Sequence, residues 1–106
     1  MIAKEKIDAL AVEELQDANR KYMLFSSPHE AFAVLCEEME ELNESVRDVA
    51  TFVNRMWADV REDLSIEEDA VHIDEYTTFV IQEALQVKAM AKKVKQSELY
   101  NEKKSR

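Results

Sequence analysis

Glu37, Glu38, Glu40 and Glu41 fall within five residues of one helical stretch, and Glu83 lies in a later one. Carboxylates one turn apart on a helix point the same way, and two such helices facing each other can hold a hard divalent cation. At about 100° per residue, Glu38 and Glu41 fall beside Ala31, Val34 and Ser45, on a flank of the apolar seam. Glu40, Glu44 and Arg47 fall nearer the opposite side. Solvent does not require alanine and valine, so the Glu38–Glu41 flank is expected to face another helix or subunit. Phe79, Glu83, Gln86 and Met90 make a similar flanking stripe on the later helix. Glu38, Glu41 and Glu83 are therefore expected to converge on Mg²⁺, with Mn²⁺ as the alternative ion; Glu37 borders the Glu41 side. An E-x-x-E pair on its own is more often a solvated helix face.

Several elements must position these residues. Ile7, Leu10, Ala11, Glu14, Leu15 and Ala18 form an amphipathic stripe that predicts a first helix over about Ile2 to Lys21. Ser27-Pro28-His29-Glu30 is a capping box with proline at the first helical position, and it opens a second helix. In that helix Phe32, Leu35, Met39, Leu42, Val46 and Val49 recur three and four apart, as a packing seam does. Ala50 to Asp63 stays helical in pattern, either continuing this helix or following a kink. Ser65-Ile66-Glu67-Glu68 is a second capping-box candidate, so a turn is expected at Asp63–Ser65. The last long helix is expected from about Asp74 to Gln96. Together these predict an all-α bundle of four or five helices, one domain over residues 1–96. A basic tail over residues 97–106 is expected to fray.

Bulk composition agrees with an all-helical reading and narrows the chemistry. The chain has 106 residues, no glycine and one proline, so tight hairpins and phosphate-cradling glycine loops are out. The formal charge of −9 argues against a nucleic-acid backbone or an anionic membrane as partner. From Lys88 onward there are seven Lys/Arg and two Glu, which complement the C-terminal end of a helix dipole. Cys36 has no partner for an internal disulfide and is expected at a core edge. No charged-then-apolar leader and no long apolar run is present, which leads to the expectation of a soluble, cytoplasmic protein. At this size, pairing with a second copy would help bury apolar surface.

The stretches SPHEAFAVLCEEMEELNESV (residues 27–46) and QEALQVKAMAKKV (residues 82–94) resemble the MazG-like branch of the all-α nucleoside triphosphate pyrophosphohydrolases. That superfamily carries EExxE on one helix and ExxD on a later one. Glu37, Glu38 and Glu41 match the first motif and Glu83 opens the second, while Gln86 stands where the aspartate would be. Residues 13–25, EELQDANRKYMLF, are similar to the lead-in of small phage and bacterial members. The resemblance covers most of residues 10–95, although the stretch from about Ala50 to Ile73 is longer than in compact members.

The resemblance implies a helical bundle, dimeric or tetrameric, with Mg²⁺ held between the motifs by Glu38, Glu41, Glu83 and the Gln86 amide. It implies cleavage between the α and β phosphates of a nucleoside triphosphate, with Glu37 or the neighbouring Glu38 orienting or deprotonating the attacking water. Lys21, Arg20 and Lys88 are the candidate phosphate contacts, and His29 a candidate nucleotide contact, although each has an ordinary surface role open to it. A glutamine at position 86 can bind a cation through its oxygen but brings no charge and cannot act as a base. The alternative is therefore a catalytically degenerate helical module that binds nucleotides or another protein. Asp69 and His72 lack the second His-bearing pair of a di-iron bundle, and Phe52, Met56 and Trp57 read as core or interface.

Overall fold

The computed structural model describes residues 1–105, and its regular structure is all helical: α1 (Lys4–Lys21), α2 (Pro28–Arg61) and α3 (Glu67–Ser105). Three helices replace the four or five expected, for two reasons. Nothing between Ala50 and Arg61 breaks the α2 backbone ladder, so that stretch simply extends α2. The Ser65 hydroxyl accepts the Glu67 N–H at 3.3 Å and starts α3 at once, so residues 67–73 belong to the last helix. At the start of α2 the Ser27 hydroxyl accepts the Glu30 N–H at 3.1 Å, as the capping signal predicts, a contact of about 1 kcal/mol. The Glu30 carboxylate turns instead to the Ser26 hydroxyl, 2.7 Å away. Among the described residues no helix is long and apolar enough to cross a membrane.

The chain divides into two compact units. The first comprises Met1–Met39 and the residues from Ala84 onward. Its core is Leu15, Phe25, Ala31, Ala89 and Met90, with Ala18, Val34, Leu35 and Val94 packed around them. Each large side chain here contributes roughly 1.5–3 kcal/mol by leaving water. The connection after α1 is tied down by polar contacts. The Phe25 N–H donates to the Ser97 hydroxyl at 2.9 Å, Ser97 donates to the Lys93 carbonyl at 2.8 Å, and the Asn101 amide donates to the Phe25 carbonyl at 3.3 Å. These contacts tie α3 down at Ser97 and Asn101, within the stretch expected as a basic tail; Arg106 lies outside the described residues. Asp8 on α1 takes Lys92 at 2.6 Å and Lys88 at 3.7 Å, and the Lys92 hydrogen bond above all lowers its pKa.

The second unit, Glu40–Glu83, is the far part of α2, the turn and the first part of α3. The turn closes without glycine. Leu64 N–H donates to the Asp59 carbonyl at 2.9 Å and Asp63 N–H to the Val60 carbonyl at 3.2 Å, with Asp63 at φ 55°. That is a Schellman ending, and aspartate is one of the few residues besides glycine that tolerate the left-handed position. Phe52 stacks on His72 at 4.7 Å and meets Tyr76 at 5.0 Å. No apolar side chain of this unit is buried, and its one buried residue is polar, Asp69.

The face that α2 covers differs from the expected seam. Leu35, Leu42, Val49 and Met56 are partly covered, together with the flank residues Val34, Glu38 and Ser45. Phe32, Met39, Val46, Val53 and Val60, spaced seven apart, remain exposed, as does Trp57. Cys36, expected at a core edge, is also exposed.

Candidate functional site

Glu41 on α2 and Glu83 on α3 meet within the second unit, each bringing a carboxylate oxygen within 4.8 Å of the other. Glu38 stands one turn before Glu41 along α2. The period of α2 puts both on the flank that the sequence pattern singled out. Burial, and after it the adjoining Glu41 carboxylate, raises the pKa of Glu83. No donor reaches its covered Oε2 among the described residues. The hydrogen bond open to the pair is thus one in which Glu41 and Glu83 share a proton. Two carboxylates this close need such a proton or a cation between them. An all-oxygen, acidic donor set with a covered, unsatisfied oxygen fits a hard divalent cation such as Mg²⁺ or Mn²⁺.

The first unit contains a cavity of about 410 Å³ lined by, among others, Tyr22, Phe25, Glu37, Glu38, Gln86 and Lys93. Both glutamates expected to act on water, Glu37 and Glu38, are therefore on one wall. Gln86 is present as well, but its amide nitrogen donates to the Glu14 carboxylate of α1. That contact gives Gln86 a structural role that the sequence pattern did not suggest.

The cations expected to contact substrate are elsewhere. Lys21 and Arg20 pair with Asp17 at 3.8 and 3.0 Å on the exposed side of α1. Lys88 reaches Asp8. His29 is exposed in the first turn of α2. None of the four lines the cavity. The lysine that does is Lys93, only 3% exposed, with its Nζ 4.8 Å from the Phe25 ring centroid and 6.0 Å from that of Tyr22. Burial lowers its pKa, opposed by the charge of Glu30.

Lys93 was hidden in sequence because Lys92 and Lys95 flank it, so the stretch reads as a solvated basic run. A signal was nevertheless there. The stripe Glu83, Gln86, Met90 continues by the same three-four spacing to Lys93 and Ser97. In the sequence, Glu14 reads only as part of the α1 stripe.

In comparisons with known proteins, no family model, no curated protein and no solved structure matches this chain.

Proposed function

We propose that this protein is a Mg²⁺-dependent nucleoside triphosphate pyrophosphohydrolase of the MazG-like kind. The observation that carries the reading is the Glu41–Glu83 carboxylate pair, with Glu38 one turn away on α2. Glu38, Glu41 and Glu83 are the residues to hold the cation, and Gln86 offers its amide oxygen while its nitrogen stays on Glu14. A bound divalent cation would supply charge neutralisation for phosphate oxygens and make water more acidic. Glu37, exposed on the cavity wall, takes the proton from the attacking water. The water oxygen bonds to the α-phosphorus, the bond from that phosphorus to the bridging oxygen breaks, and pyrophosphate leaves a nucleoside monophosphate behind.

The active form in this reading is a homodimer, or a tetramer built from it. Phe32, Met39, Val46, Val53 and Val60 make an exposed apolar row at heptad spacing, the pattern by which a helix packs on a partner helix. A second copy of this chain is the occupant that matches such a row with an equal one across a two-fold axis.

Pyrophosphate release from a panel of (d)NTPs with Mg²⁺ tests the activity. Turnover is expected in the wild type, reduced at least about a hundredfold in Glu83→Gln, since that change removes a cation-binding charge from a covered site. Absence of turnover in the wild type, with no thermal shift from Mg²⁺ plus nucleotide, sinks this reading. It would favour a helical interaction module, for which the exposed α2 row and the engagement of Gln86 by Glu14 already speak.

A further inference from the structure

We propose that Lys93 is the anion anchor of the first unit's cavity, and that the cavity takes a polyphosphate accompanied by a divalent cation. The inference rests on the pyrophosphohydrolase reading, which supplies the cation.

Three features set Lys93 apart from Lys88 and Lys92 on α3. Lys88 and Lys92 both reach Asp8, whereas Lys93 has no carboxylate within 4.0 Å among the described residues. It is nearly covered, at 3% exposure, so water does little of the solvation that an ammonium group requires. Its nearest compensation is the faces of Phe25 and Tyr22, which attract a cation without neutralising it. Burial accordingly disfavours its charge, and the pull of Glu30 offsets this only in part. An arriving phosphate oxygen would give the ammonium the charged partner it lacks.

The backbone around Lys93 is held in place. Its carbonyl accepts the Ser97 hydroxyl, and Ser97 in turn accepts the Phe25 N–H. The lysine and the aromatic ring beneath it are therefore fixed to the same point of α3, so that little ordering is needed on binding.

The remaining charges on the cavity wall decide which anion fits. Glu30, Glu37 and Glu38 line it alongside Lys93, so the free protein repels a bare polyanion. A polyphosphate bearing a divalent cation presents both signs at once. Its cation suits the glutamates on α2, and its phosphate oxygens suit Lys93 on α3.

Calorimetric titration with inorganic pyrophosphate in Mn²⁺ buffer, on wild type and Lys93→Met, tests this. Mn²⁺ alone should bind both proteins equally, while affinity for pyrophosphate in the presence of Mn²⁺ should fall about tenfold or more in the variant, the scale of one lost charged hydrogen bond. Equal pyrophosphate affinity in both proteins overturns the role of Lys93 and leaves the cation reading standing. Failure of wild type to bind Mn²⁺ at all overturns both. Should Lys93→Met not fold, the ¹³Cε resonance of Lys93 in the wild type gives the answer. It should move, and the lysine pKa should rise, as Mn²⁺-free Mg²⁺–pyrophosphate is added; a stationary signal at saturation overturns the proposal.

Discussion

Gln86 of α3 donates its side-chain amide to the carboxylate of Glu14 on α1. An aspartate at position 86 could not make that contact, since two ionised carboxylates have no proton to share at neutral pH. The glutamine is thus matched to its neighbour, and the first helix brings a negative charge to the neighbourhood of the cavity that position 86 itself does not carry.

Gln86→Asp should therefore destabilise the metal-free protein by about 1–3 kcal/mol, the range for depriving a partly covered polar group of its partner. Mg²⁺ should recover part of that loss and should raise the melting temperature of the variant more than that of the wild type. Urea titrations and thermal melts, each with and without Mg²⁺, measure both terms. Identical melts for variant and wild type in metal-free buffer would mean that the Glu14 contact contributes nothing.

The Asp59–Asp69 pair gives the second unit a pH dependence of definite sign. The hydrogen bond with Asp59, and then burial, raises the pKa of Asp69, while Arg55 opposes the shift. The folded chain holds this proton more tightly than the unfolded chain does. The stabilisation is therefore complete below the ordinary aspartate value, about 3.9, and is lost as pH climbs through the raised native value. Asp69→Asn keeps a donor facing Asp59 and removes the titration, so it should flatten this decline and melt higher than wild type near neutral pH. A variant profile that tracks the wild type would place the pH dependence elsewhere.

The exposed heptad row on α2 leads to a test of assembly. Sedimentation should give twice the chain mass or a multiple of it for wild type, and the monomer mass for Val53→Glu, because a charge in an apolar helix seam is left without water or a partner. Circular dichroism checks that the variant keeps its helices. A wild-type monomer at high concentration would remove the second copy from the account.

Ser97→Ala should cost roughly 1–3 kcal/mol, since the buried Phe25 N–H loses its acceptor. Chemical denaturation reads this directly, and a neutral substitution would indicate that water replaces the hydroxyl.

Much of this arrangement was readable from local signals. Ser27 and Pro28 announced the start of α2, and the position of Glu38 beside Ala31 and Val34 announced a flank that is in fact covered. What stayed hidden depends on contacts distant in sequence. Ser97 and Asn101 look like tail residues until Phe25, more than seventy positions earlier, offers them its backbone. Lys93 reads as one lysine among several until its neighbours prove to be aromatic rings. The helix count is not legible locally, because Ser65 marks a start but only the unbroken helix from Glu67 assigns residues 67–73 to the last element.

The five residues from Glu62 to Ile66 that join α2 to α3 also set a ruler. Because the reversal is pinned at Asp63, how far each helix has turned by Glu41 and by Glu83 is fixed from that end, several coils away. Lengthening the loop by a single amino acid would rotate one rod against the other and part those two acids, with no substitution near either of them.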